Sequence, residues 1–351
     1  MRKCYISRCY PGAYCGGFKG KMDMEKFLSL NGFINIGLPQ KICKNKIYIF
    51  IYTFLSVLKA VLELKKGDIL VLQYPLKKYY YFITSIARLK GAKVITLIHD
   101  LGCFRRKRLT LQKEYKRLSK TDYLIALSER MKEFMIDKGY KQGIGTLDVW
   151  DYYSNVYPCE TKYYGSGPIK IVYVGGLKES VNGFIYNLDQ QTTQKKLFFD
   201  IYGDYFNKGL LRHSDHFNYH GLTDSEEIIR TCSSHYGLLW YSQDINSIDG
   251  VLGEYLKFNT SHKISLYILA NKPVIVWNQA SFAEFTRDNN IGICISSLSE
   301  LQEKLEQVTE KEYNEMVNNM AALSVKLRKG HYFLSSVYEG INYLEKLNKI
   351  D

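Results

Sequence analysis

The chain has 351 residues, enough for two α/β domains of roughly 160 residues each, and its 46% hydrophobic and 24% charged content is globular rather than disordered. Its net charge of +13 is lopsided: residues 1–160 hold 29 Lys+Arg against 13 Asp+Glu, leaving 19 against 22 for the remainder. The start of the chain lacks the apolar core of a signal peptide, and no Cys/His cluster has zinc spacing, so a secreted disulfide scaffold and a zinc module are both disfavoured.

In chain order, short β-branched runs alternate with helical patterns, which predicts parallel sheets built from βα units. The first half reads as strands at 3–7, 69–73, 93–99 and 123–126, with amphipathic helices at 22–31, 51–65 and 111–120. The longest uncharged apolar run, 47–58, stops at Lys59 and is too short to span a bilayer, though not to lie on one. The basic excess is densest from Arg105 to Lys120, including Arg106, Lys107 and Arg108. A polyanionic surface or a solvated helix face both account for it. It lacks the interleaved aromatics of a nucleic-acid module, so anionic lipid is the favoured partner. A fresh start follows the linker-like Gly-Ser-Gly-Pro at 165–168, with strands at 169–174, 197–202, 236–240, 274–277 and 292–296. The spacing divides the chain into domains at 1–163 and 164–329, with a closing helix at 330–351 expected to pack back on the first domain.

Ligands gather at the carboxyl ends of parallel strands, so those tips hold the candidate chemistry. Gly175-Gly176 follows a buried strand, and Gly16-Gly17 follows the first strand of the other half. Glycine lets main-chain N–H groups approach a phosphate, although a tight turn without ligand reads the same way. Ser261 suits the N-cap of a helix opening at His262, Asn271 a left-handed stop, and Pro273 the end. Lys263 then sits in the first helical turn, where a cation opposes the macrodipole unless it folds over a bound anion. It is therefore the expected diphosphate ligand. His99-Asp100 at a strand end is the candidate general base, with Asp244, Asp249 and Glu254 as rival carboxylates.

Several segments carry a family resemblance: Tyr236-Gly-Leu-Leu-Trp240, Gly253-Glu-Tyr-Leu, Ser261-His-Lys-Ile-Ser-Leu-Tyr, Lys272-Pro-Val-Ile-Val-Trp and Leu327-Arg-Lys-Gly330. They resemble bacterial β-1,6-galactofuranosyltransferases and the glucosyltransferases that extend N-acetylglucosamine on serine-rich adhesins. Fainter matches lie at Gly67-Asp68, Ile98-His99-Asp100 and Val149-Trp150-Asp151. The resemblance implies the α/β fold called GT-B, two Rossmann-like domains whose parallel sheets face across a cleft. It also implies transfer from a UDP-sugar without a metal or other cofactor, with Lys263 and the glycine loops on the diphosphate. By the same alignment Lys178 falls at a phosphate-binding position, and Gly221-Leu222 stands beside the uracil. Retaining relatives carry a ribose-binding glutamate where this chain has Leu266, which favours inversion. The expectation is transfer of galactofuranose to a lipid-linked saccharide of a surface polysaccharide (O-antigen or capsule), by a cytoplasmic enzyme that can sit peripherally on the membrane. A UDP-glucose transferase acting on a glycoprotein and a non-catalytic nucleotide-sugar binder are the alternatives, and homo-oligomerisation stays open.

Overall fold

A computed structural model describes the chain except residues 13–15, 77–78, 106–108, 190–195, 249 and 348–351. It comprises two compact units, Met1–Tyr153 together with Lys329–Asp351, and Ser154–Arg328. The division falls ahead of the Gly-Ser-Gly-Pro segment because the tyrosines before it belong to the second unit. Tyr163 donates to the Val308 carbonyl at 2.7 Å and Tyr164 to that of Leu305.

The first unit carries strands β1 (Lys3–Tyr5), β2 (Cys9–Tyr10), β3 (Ile34–Asn35), β4 (Lys41–Ile42), β5 (Ile69–Tyr74), β6 (Lys93–Ile98), β7 (Tyr123–Ala126) and β8 (Gly143–Thr146). Six form a sheet in the order β3-β1-β5-β6-β7-β8, while β2 and β4 pair separately, and every pairing is parallel. The central strands Ile-Leu-Val-Leu-Gln-Tyr and Lys-Val-Ile-Thr-Leu-Ile are almost wholly buried, as a sheet covered on both faces requires. The helix His331–Leu347 packs against β6, β7 and β8. Phe333 N donates to Asp151 at 2.6 Å, and the Ser336 hydroxyl to the Thr146 carbonyl at 2.6 Å, which pins the start of this helix to the segment after β8.

The second unit carries β9 (Ile169–Val174), β10 (Leu197–Tyr202), β11 (Phe217–Gly221), β12 (Tyr236–Leu239), β13 (Val274–Trp277) and β14 (Gly292–Ile295). The order β11-β10-β9-β12-β13-β14, all parallel, puts the first strand of the unit at the point where strand order reverses. In doubly wound sheets that switch point is where a crevice opens outside the carboxyl ends of the strands. Ile171, Tyr173, Leu238, Trp240, Ile275 and Trp277 are among the residues that build the core beneath it.

Candidate functional site

At the switch point of the second unit the chain runs in glycine. Gly175 leaves β9 at φ +152°, Gly203 leaves β10 at +143° and Gly221 closes β11 at +72°. Gly175 N donates to the Tyr202 carbonyl and Gly203 N to that of Gly221, both at 2.8 Å, so the three strand ends step side by side. A Cβ on Gly203 would collide with the Gly175 carbonyl, and one on Gly175 would run into the Lys263 ammonium. Gly203 therefore demands glycine for close approach as well as for conformation, and Gly175 for its conformation.

The helix His262–Leu269 delivers that ammonium. Ser261 caps it, its hydroxyl accepting from Lys263 N at 3.3 Å, and Asn271 ends it in the left-handed region at φ +53°. One turn beyond Lys263, the buried Tyr267 hydroxyl accepts from Val174 N and donates to the Leu238 carbonyl, each at 3.1 Å. It thus ties the helix to both strands flanking the switch point. Gly237 makes this possible, since any Cβ there would strike the Tyr267 ring.

Lys263 Nζ lies 4.3 Å from the ring centroids of both Tyr173 and Tyr241, shielded from solvent and, among the described residues, without a hydrogen-bond partner. Two aromatic faces ease the burial of a cation but do not satisfy its N–H donors. An anion seated on the glycine loop would satisfy them, aided by the N-terminus of the same helix. The arrangement is built to hold a compact polyanion.

Of the other expected residues, Gly176 and Leu222 are exposed at the loop ends, and Leu222 lies two strands out from Gly175. Lys178 is exposed at the head of the four-residue helix Glu179–Asn182, and His262 opens the lysine's helix. Leu266 is buried. Among the rival carboxylates, Asp244 accepts from Asn246 N at 2.9 Å, Glu254 pairs with Lys257 at 2.9 Å, and Asp249 lies outside the described residues. Gly203, Gly237, Tyr267 and the two tyrosines around Lys263 had no part in the sequence-based site. The signal for Gly203 was available, because a strand at 197–202 also runs into glycine.

In the first unit, His99 and Asp100 follow β6. His99 Nε2 lies 2.6 Å from Gln73 Oε1, and its ring stacks on Trp150 at 4.5 Å. Gln73 in turn donates through Nε2 to the Lys21 carbonyl at 3.0 Å. That bond fixes the amide so that Oε1 faces the histidine, placing the imidazole proton on Nε2 and leaving Nδ1 as the basic nitrogen. Gly16 and Gly17 do not form a loop after the first strand as expected. They are the opening residues of the helix Gly16–Leu30.

That helix supplies two buried groups that sequence reasoning missed. Lys21 is held well below the ordinary lysine range, first by burial and then by Arg8, while Asp100 and Glu25 act the other way. Glu25 accepts from the Ser7 and Tyr10 hydroxyls and from Gln40 Nε2 at 2.9 Å, and burial pushes its carboxyl up to about 7. Charged positions on a helix ordinarily read as its solvated face. Here they point inward.

Paired Rossmann-type units, the second with a glycine-lined switch point and a helix-borne lysine, make this a GT-B fold. The lipopolysaccharide outer core galactosyltransferase WaaB superposes with a TM-score of 0.59 at 15% identity, covering 98% of this chain and 99% of that one. Anabaena Alr3699/HepE, solved with UDP, gives 0.58 at 11% identity over 99% and 100%. Those likenesses set the fold, and the family match makes the class glycosyltransferase.

The glucosyltransferase 3-like N-terminal domain matches residues 3–149 and its C-terminal domain residues 171–339, so the chain belongs to the glucosyltransferase 3-like family. Its relatives include the β-1,6-galactofuranosyltransferase WbbI of Escherichia coli K12, 29% identical over 80% of this chain and 82% of that one. Glucosyltransferase 3 of Streptococcus gordonii is 25% identical over 76% and 77%.

Proposed function

We propose that this glycosyltransferase takes its sugar from a uridine diphosphate donor, with the diphosphate on the Gly175 loop under Lys263. The observation that carries the reading is the buried, unbonded ammonium of Lys263 lying against Gly175 between two tyrosine rings. In the reaction an acceptor hydroxyl attacks the anomeric carbon, its proton goes to a base, and the bond from that carbon to the phosphate oxygen breaks. Lys263 and the N–H groups at the start of its helix stabilise the charge gathering on the departing diphosphate, a task that needs fixed donors and no metal. Gly176, Lys178, Gly221, Leu222, Ser261 and His262 complete the proposed donor site. For the base we propose the His99-Asp100 pair, with Nδ1 of His99 as the accepting nitrogen, and for the stereochemistry inversion.

Similarity to the galactofuranosyltransferase favours galactofuranose as the sugar, and the acceptor we propose is a lipid-linked saccharide of a surface polysaccharide. The basic first unit then faces an anionic membrane surface. The match to the glucosyltransferase 3-like domains supports glucose as the sugar in a second reading, for which we propose UDP-glucose as donor and a glycoprotein as acceptor.

Calorimetric titration with UDP, UDP-galactofuranose and UDP-glucose in the presence of EDTA tests this. UDP binds the wild type, and Lys263→Ala weakens it by about 1.5–3 kcal/mol, the loss expected for charge-assisted contacts. The sugar that adds affinity identifies the donor. Absence of UDP binding in the wild type defeats the proposal.

A further inference from the structure

The helix Lys46–Glu63 carries apolar side chains on both its faces. Its buried face includes Thr53 and Ser56, and the Ser56 hydroxyl donates to the Ser7 carbonyl at 2.5 Å. Its outer face presents Ile47, Phe50, Ile51, Phe54, Leu55 and Leu62, with Ile47 72% and Leu62 80% exposed. Those positions recur at helical spacing, so they form a second apolar stripe on the side away from the core. The helix Tyr79–Leu89 lies alongside and widens it. Rings of Phe50 and Phe54 approach Tyr79 at 6.1 and 6.2 Å, and Tyr81, Phe82 and Leu89 are exposed beyond them. A soluble monomer rarely leaves so much contiguous apolar surface uncovered.

Charge selects the occupant. Lys41, Lys44 and Lys46 stand exposed at one end of the long helix, Lys65 and Lys66 at the other. Lys120 Nζ sits 5.9 Å from the Tyr81 ring centroid, and the basic helix Leu111–Leu118 packs against Tyr79–Leu89. The acidic residue on the long helix, Glu63, is paired with Lys59 at 3.5 Å. A second copy of the chain would bring lysine rim against lysine rim. Anionic headgroups complement that rim while the apolar side chains enter the headgroup–acyl boundary. No described helix is long and apolar enough to cross the bilayer.

We infer that the first unit docks flat on an anionic lipid bilayer through the paired outer faces of the helices Lys46–Glu63 and Tyr79–Leu89. The inference rests on the membrane-facing part of the proposed function and is independent of the donor. The test is co-sedimentation of the full chain with vesicles of phosphatidylcholine alone and of phosphatidylcholine mixed with phosphatidylglycerol. The chain binds the mixed vesicles, and combined Ile51→Ser, Phe54→Ser and Leu62→Ser lowers the bound fraction by about tenfold or more. UDP titration of the same variant stays at the wild-type value, which shows that it is folded. Equal vesicle binding by variant and wild type overturns the inference, leaving the basic groups alone as the contact. A wild type that ignores vesicles and forms a dimer dissociated by the same substitutions also overturns it, in favour of a second copy. Failure of UDP binding would sink the donor reading and leave the vesicle result standing.

Discussion

The two units share a fold plan and divide their chemistry. The second carries 16 Lys+Arg against 20 Asp+Glu, and its candidate site is made from backbone, three glycines at strand ends with one lysine folded over them. The first carries 32 against 15 and gathers ionisable side chains instead: Lys21, Glu25 and Asp100 around one sheet edge, and lysines around an apolar outer face. A backbone cradle suits a ligand whose diphosphate never varies. Side chains and surface charge suit a partner that differs from one enzyme to the next, so the shared fold says little about the acceptor.

The largest effect that would sharpen this contrast is at Gly203. Alanine there meets both a left-handed φ of +143° and the Gly175 carbonyl. The second unit loses at least about 2–3 kcal/mol of stability and its UDP binding, while the first unit keeps its own melting transition in calorimetry. Lys263→Arg comes next. Arginine's larger guanidinium reaches past the position of Lys263 Nζ, which already lies against Gly175, and its planar fork does not reproduce a compact ammonium. UDP affinity therefore falls nearly as far as in Lys263→Ala; full rescue by arginine would mean a surface charge suffices. Tyr267→Phe is smaller, about 1–2 kcal/mol of stability for the lost hydroxyl bonds, with UDP affinity reduced less than in either lysine variant.

The second unit was the more legible in the sequence. Its buried strands are continuous apolar runs, and Ser261, Asn271 and Pro273 spell out the lysine's helix, which the structure forms with that cap and that left-handed stop. The edge strand β11 escaped, because the Phe-Asn-Tyr-His alternation is only four residues long and the strand is largely exposed. In the first unit the helix Tyr79–Leu89 escaped because it opens on Tyr-Tyr-Tyr-Phe, residues that favour strands by propensity. The helix at 51–65 was read five residues short at its start, where Asn45 caps it ahead of Lys46. The place of Lys263 in the first turn of the helix His262–Leu269 could be read from helix grammar alone. Its tyrosine slot could not, since Tyr173, Tyr241 and Tyr267 meet only through the packing of the strands.

Under changes of pH, buried groups of the two units pull in opposite directions. Burial raises Asp151, whose Oδ2 accepts from Phe333 N, from 3.8 to about 8, and Glu25 from 4.5 to about 7. Across those windows the folded first unit holds protons that the unfolded chain has released. Their contribution is therefore full at acid pH and is lost as pH rises through the raised values. Burial lowers His235 from 6.5 to about 4, and its Nδ1 accepts from Lys170 N at 2.9 Å. The folded second unit there resists a proton that the unfolded chain accepts, so this contribution is lost as pH falls from 6.5 toward 4. Each group has a limiting slope of about 1.4 kcal/mol per pH unit. Calorimetric melting followed upward from acid pH is expected to show the second unit's transition rising, and Asp151 and Glu25 pulling the first unit's down against Lys21, whose lowered value works the other way. Asp151→Asn keeps an acceptor toward Phe333 N without a titrating proton, so it flattens the first unit's slope and leaves the second's untouched. A slope unchanged by this substitution would mean that Asp151 ionises freely despite its burial. The first unit's pH response would then have to come from Glu25 and Lys21.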